Sequence, residues 1–221
     1  MSRVVLYGAD ISPPVRTCLL TLKALNIPFE YKFVDIVARE HFSEEFIKKN
    51  PQHTVPLLED NGKYIWDSHA ICSYLVDKYG QNDKLYPKDL YQRAIVNQRL
   101  YFDASILYMA LRNVVLPMWR ENSNFVPKDK IMNILECYDL TETFLENRQY
   151  IAGDSLTIAD FGCLATVSSL NGIIELDKEK YPKTLEWIER LSKLPYYEEG
   201  NGKGLREYVA ILKSRLTEFE M

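Results

Sequence analysis

No apolar run in this sequence approaches the about 20 residues that a membrane span needs. The apolar stretch within Met1–Gly8 is too short for a signal peptide, so the expectation is a cytoplasmic protein. Positive charge is not in excess. Lys and Arg number 27 against 31 Asp and Glu, with a formal net charge of -4 and a pI near 5.5. A general nucleic-acid binder needs a basic face to neutralise phosphates, and this composition does not supply one. A local basic pocket for a small anion remains compatible with it.

No CxxC pair occurs. The four cysteines, Cys18, Cys72, Cys137 and Cys163, are far apart, and they read as buried reduced thiols. The only histidines are His41, His53 and His69. Their spacing fits no zinc pattern, so no metal site is expected. Gly200-Asn201-Gly202-Lys203-Gly204 follows no strand and lacks a Lys-Ser/Thr ending, so it reads as a flexible turn and not a phosphate loop. There is no internal repeat and no low-complexity tract.

What is present is globular. Of 221 residues, 47% are hydrophobic and 26% charged, enough for one large domain or two modest ones. Arg3 to Tyr7 has strand length. Ser12-Pro13-Pro14 opens a helical pattern with Val15, Cys18, Leu19, Leu22 and Leu25 on one side, ended by Asn26-Ile27-Pro28. Phe29 to Phe33 alternates as a strand does. Ser43 to Lys49 reads as a short helix. Val55 to Leu58 and Lys63 to Trp66 flank a hairpin signal, Glu59-Asp60-Asn61-Gly62, and Ser68 to Tyr79 is helical again. The order β-α-β-α-β-β-α gives an α/β domain over residues 1–80 with a parallel first pair. Residues 81–89 read as a linker. Residues 90–221 read as all-α: Leu90 to Trp119 as one long helix bent near Pro117, Pro127 to Asn147, a helix opened by the capping box Thr157-Ile158-Ala159-Asp160, Pro182 to Leu194, and Glu207 to Phe219.

Three segments offer chemistry. Ser12 stands at a helix N-terminus, where free N–H groups and the helix dipole favour an anion. A thioredoxin-like fold puts a reactive cysteine there; serine at position 12 and valine at 15 rule out a disulfide reaction of the protein's own. Ser12 reads equally well as a plain N-cap. Pro56 at a strand start is either an ordinary trans proline or a cis one that leaves Val55 free to pair with an extended peptide. Asp67-Ser68-His69-Ala70-Ile71 starts a helix with Ser68 as candidate N-cap and Asp67 as a partner for an ammonium, or is simply an acidic helix start. On the long helix Tyr108, Leu111, Arg112, Val115 and Trp119 form one stripe, with Arg112 its single cation.

Taken together and in this order, these segments resemble the cytosolic glutathione S-transferases over essentially the whole chain. Ser12-Pro13-Pro14-Val15-Arg16 is typical of the insect delta and epsilon classes. Asn50 to Leu58 is similar to the family's cis-proline strand, and Asp67 to Ile71 to its γ-glutamyl motif. Leu85-Tyr86-Pro87 is similar to its linker, and Gly153 to Asp160 to its helical-domain motif. His41 and His53 with Arg112 favour epsilon. The resemblance implies a thioredoxin-like N-terminal domain followed by an all-α helical bundle, with glutathione as co-substrate and no cofactor or metal. It implies Ser12 as the hydrogen-bond donor to the glutathione sulfur, with Pro14, His41, His53, Val55, Pro56, Asp67, Ser68, His69 and Arg112 around the tripeptide. Many relatives carry Glu where Asp67 stands. Leu107, Tyr108, Leu111, Val115, Trp119, Leu205 and Tyr208 would line a pocket for hydrophobic electrophiles, as a detoxifying enzyme requires. A homodimer through the helix after Ser68 and the long helix after the linker follows too, with His69 at that interface as a second placement. Tyr7, near the end of the first strand, is the alternative thiol donor used by some classes; the intact Ser-Pro-Pro favours Ser12 and leaves Tyr7 a packing role. Two rivals share the fold: a non-catalytic carrier of glutathione or apolar ligands, and a thiol-disulfide enzyme, which would need cysteine at position 12.

Overall fold

The structure is a computed structural model that describes residues 3–220. Met1, Ser2 and Met221, at the ends of the first and last expected segments, lie outside them. Strand β1 (Val4–Gly8) is parallel to β2 (Glu30–Phe33) and antiparallel to β3 (Leu57–Asp60), which pairs antiparallel with β4 (Lys63–Trp66). The sheet order is β2-β1-β3-β4. Period-2 alternation on β1 decides what covers each face. Val4 and Leu6 join the core under α1 (Pro13–Ala24) and α3 (Ser68–Tyr79). Val5 and Tyr7 turn the other way, toward Phe46 on α2 (Glu44–Lys49). The β3–β4 hairpin closes through Asn61 and Gly62, both at positive φ (50° and 77°), as a two-residue type I′ turn demands.

The second half is helical: α4 (Leu90–Phe102), α5 (Tyr108–Arg120), α6 (Lys128–Leu145), α7 (Ile158–Asn171), α8 (Pro182–Ser192) and α9 (Lys203–Arg215). Helix α7 is buried on every side from Ile158 to Leu170 and carries the contact with α1. Its start is held by Asp160, which accepts from the N–H groups of Thr157 (2.8 Å) and Ile151 (2.8 Å) and from Trp187 Nε1 (3.0 Å). Among the described residues no helix is long and apolar enough to cross a membrane.

Three expectations are corrected. The long helix is not one α-helix bent at Pro117. A π-helical turn, Asp103–Leu107, divides α4 from α5, and Pro117 lies inside the last turn of α5, where its missing N–H removes one i→i−4 hydrogen bond. The glycine cluster is no flexible turn: Glu198–Gly202 is a second π turn that runs straight into α9, with Gly200, Asn201 and Gly202 buried. The last helix starts at Lys203 and ends at Arg215, after which β6 (Glu218–Phe219) pairs in parallel with β5 (Phe125–Val126).

Candidate active site

The register of the sheet gathers the expected site residues at one edge. Tyr7 stands opposite Leu57, and Leu57 opposite Trp66. The chain therefore leaves β1 toward Ser12, enters β3 from Val55-Pro56 and leaves β4 toward Asp67, all at the same end. Gly8 pairs with Phe33, so the loop from Asp35 to His41 starts there as well.

Ser12 is the N-cap residue of α1, yet its hydroxyl makes no cap hydrogen bond. The two prolines that follow narrow the choice of donors. An N-cap side chain accepts from the N–H of the second or third helical residue. The second is Pro14, which has none, and Pro13 before it has none either. Val15, the third, carries the first N–H that the helix presents, and the Ser12 hydroxyl does not take it. Ser12 is anchored by its backbone instead: its N–H donates to Ala9 O (2.9 Å), and its carbonyl accepts from Arg16 N (3.1 Å). The half-buried hydroxyl stays available at a positive helix end.

The Val55-Pro56 bond is cis. Among the described residues Val55 takes part in no turn or loop backbone hydrogen bond. His53 has φ 46° and stacks on Phe42, with ring centroids 4.4 Å apart; the His41 ring is tilted against the same Phe42 ring, also at 4.4 Å. His41 Nδ1 is buried with no partner. Burial, then the charges of His53 and Arg39, hold the His41 imidazole below its ordinary pKa.

Asp67, not Ser68, caps α3. With φ 72° and ψ 120° it accepts from His69 N and Ala70 N, both at 3.0 Å, through Oδ1. Ser68 is the first helical residue; the residue is buried, and its hydroxyl makes no hydrogen bond among the described residues. His69 is committed to the second half of the chain: its Nε2 lies 2.8 Å from Asp103 Oδ2 in the π turn. Burial opposes a charge on this ring, and the Asp103 hydrogen bond and charge override it, so the His69 pKa is raised.

The α5 stripe divides. Leu107 and Leu111 are fully enclosed in the core, and Tyr208 is buried beneath the Arg16 guanidinium. Tyr108, Val115, Trp119 and Leu205 are half-buried and retain an open face. Arg112 is exposed and has no hydrogen bond or ion pair among the described residues; its charge acts on Tyr108. A recess of about 210 Å³ opens at the β1–α1 loop, its lining including Ala9, Ile11, Tyr31, Phe33, Ile36 and Glu207. A wider one, about 1200 Å³, lies away from Ser12 between the linker, α4 and Tyr196. Tyr7 is turned off the site: its hydroxyl donates to Glu59 Oε2 (2.7 Å), and burial and that contact raise its pKa to about 12. No set of three or more His, Cys, Asp or Glu among the described residues is arranged to hold a metal ion.

Residues 6–83 match the family model for the glutathione S-transferase N-terminal domain, and residues 106–195 match that for the C-terminal domain. The chain belongs to the glutathione S-transferase family. A glutathione S-transferase 1 of Manduca sexta is 46% identical over 205 residues, covering 91% of this chain and 93% of that one. An epsilon-class glutathione S-transferase from the housefly, Musca domestica, is 55% identical with a TM-score of 0.96, covering 97% and 100%. A glutathione transferase homologue from Drosophila mojavensis, solved with bound glutathione, is 47% identical with a TM-score of 0.97 and full coverage of both chains. The chain is thus an enzyme of the glutathione S-transferase type, with a thioredoxin-like half carrying the edge described above and a helical half behind it.

Within this glutathione S-transferase, the sequence does not announce the cap at Asp67, the contact of the Phe42 ring with both histidines, the Asp103 partner of His69 or the burial of Arg16. A signal existed only for the first: Asp is as good a cap as Ser. The others depend on residues distant in the chain.

Proposed function

We propose that this enzyme transfers the thiolate of glutathione to hydrophobic electrophiles, with the Ser12 hydroxyl donating a hydrogen bond to the sulfur. The observation that carries the reading is the uncommitted hydroxyl at the N-terminus of α1, next to an edge able to take an extended peptide. Val55 would pair with the cysteinyl backbone beside Pro56 and Pro14. The γ-glutamyl carboxylate would sit at Ser68 and the first N–H groups of α3, and Asp67 Oδ2, which has no partner among the described residues, would meet its ammonium. The glycyl carboxylate would lie by His53 and His41, with Arg112 adding positive charge from α5. His69 contributes by fixing the start of α3 to Asp103 rather than by contact.

Serine need not ionise for this role. It stabilises the thiolate, and each unit by which the thiol pKa falls is worth about 1.4 kcal/mol. The electrophile would enter from the side of Tyr108, Val115, Trp119 and Leu205, with the recess at Ile11 and Phe33 beside it. Four free, buried cysteines suit a reducing cytoplasm. A homodimer through α3 and α4 is part of the same reading and is supported by the exposed Tyr101 ring; light scattering at micromolar concentration reads it, a monomer refuting it. Turnover of an aryl halide with glutathione tests the whole. Ser12→Ala is expected to lower it at least about tenfold. Tight glutathione binding by wild type without turnover of any electrophile would make the chain a carrier instead.

A further inference from the structure

One helical turn beyond Ser12 the chain buries a charge. Arg16 has no exposed surface, and buried arginines ordinarily face a carboxylate. Arg16 does not. Its Nη1 donates to Asn201 Oδ1 (2.8 Å), and its Nη2 donates to Ser169 Oγ (2.6 Å) and Ala165 O (3.4 Å). All three acceptors are neutral. Two further donors in the same enclosure, Arg16 Nε and Asn201 Nδ2, have no acceptor. The enclosure is therefore short of negative charge.

The titratable groups around the guanidinium are few. Helix α9 brings Tyr208, the segment before the second π turn brings Tyr197, and the β1–α1 loop brings Asp10; α7 brings only a hydroxyl and a carbonyl. The Tyr208 ring lies 5.9 Å from the guanidinium, and burial keeps its phenol protonated. Asp10 accepts from the Tyr31 hydroxyl at 2.6 Å and makes no hydrogen bond to the guanidinium; its charge reaches Arg16 only through space, as the weakest of the three influences that favour the charged form. Burial brings the Arg16 pKa down to about 10, which leaves it charged at neutral pH. A charge enclosed in protein is screened far less than one in water. The Arg16 side chain and the β1–α1 loop meet at Gly204: a Cβ placed there would stand 3.1 Å from Arg16 Cδ and 2.2 Å from Asp10 O.

We propose that Arg16 is an electrostatic residue of this enzyme, whose buried charge, touched by no carboxylate, favours the thiolate form of glutathione held at Ser12. The inference rests on the reading of Ser12 given above. The thiol proton leaves to solvent, and Arg16 neither gives nor takes one. Its field adds to that of the α1 N-terminus without any contact with substrate.

Asn201→Asp tests this by cancelling the charge in place, since the new carboxylate stands where Asn201 Oδ1 now accepts from Nη1, and Arg16 keeps its packing. The readout is a spectrophotometric titration of the thiolate of glutathione bound to the full chain, with the pH profile of kcat/KM beside it. Asn201→Asp is expected to raise the bound thiol's pKa by about one unit, a tenfold loss of thiolate on the acid side, and to move the acid limb equally while KM for glutathione holds. Arg16→Lys, which keeps the charge, is expected to stay close to wild type. An Asn201→Asp protein that melts like wild type and shows an unmoved thiol pKa overturns the proposal. Should that variant not fold, equal thiol pKa values in Arg16→Lys and Arg16→Gln overturn it as well. A wild-type thiol no more acidic than the about 8.5 of an ordinary thiol overturns both this and the Ser12 reading. A shift in Asn201→Asp with none in Ser12→Ala upholds Arg16 and removes Ser12.

Discussion

Gly204 at the start of α9 lies against the backbone of Asp10: a Cβ there would stand 2.2 Å from the Asp10 carbonyl oxygen. The helical half thereby sets the position of the loop that carries Ser12. No side chain fits between them, and the obstacle is backbone, which cannot rotate away. Gly204→Ala is expected to cost about 1–3 kcal/mol by overpacking and to lower turnover beyond that loss. Gly200→Ala is the control. Its Cβ would meet Leu20 Cδ2 at 2.7 Å, away from the Ser12 loop, so stability should fall while turnover per folded molecule holds. Denaturant unfolding with assays on both variants separates the two effects.

The His69–Asp103 pair ties the first turn of α3 to the π turn between α4 and α5. The His69 pKa is raised in the fold, so the pair's stabilisation is fully present below the unfolded value of about 6.5 and is lost as pH rises through the raised folded value. Wild type should therefore be more stable at pH 6 than at pH 9, and His69→Gln should flatten that part of the profile. His69→Ala leaves the Asp103 carboxylate buried with neither oxygen paired, at a cost of about 3 kcal/mol. Chemical denaturation across this pH range reads both.

On the acid side Asp60 has the opposite sign. Burial opposes its charge, but Lys78, Tyr79 and Tyr74 all donate to Oδ2 and hold the pKa down at about 2. Its stabilisation is present above the unfolded value of about 3.9 and is lost as pH falls through about 2. Asp60→Asn should be less stable than wild type at pH 7, and the gap should close toward pH 2. Thermal melts at a series of pH values show it.

Much of the site was legible because each part obeys a local rule. Pro13 and Pro14 after Ser12 mark a helix start, the proline at 56 marks a strand entry, and Thr157 with Asp160 marks a helix N-terminus. Asn61-Gly62 gives the hairpin through positive φ. What was not legible depends on distance. Arg16 finds Asn201 across 185 positions and Ala165 across 149, and nothing near Arg16 in sequence announces that enclosure. Asp103 meets His69 across 34, which is why the π turn was read as plain helix. The three glycines of residues 200–204 looked like a turn by composition. They are there because Leu20, the Glu198 and Tyr197 side chains, and the Asp10 carbonyl occupy the space that each Cβ would need. The cap at Asp67 depends on φ 72°, which residue type alone does not reveal when Ser68 follows it.

In the proposed function the Ser12 hydroxyl serves the ligand and not the helix. Ser12→Ala, measured for melting temperature, for the pKa of bound glutathione's thiol and for turnover, tests it directly. A working N-cap would cost about 1 kcal/mol on removal. An almost unchanged melting temperature is expected, because that hydroxyl makes no cap bond, together with a raised thiol pKa and turnover lower by at least about tenfold. A destabilised variant that keeps both its thiol pKa and its turnover would contradict it and make Ser12 a cap.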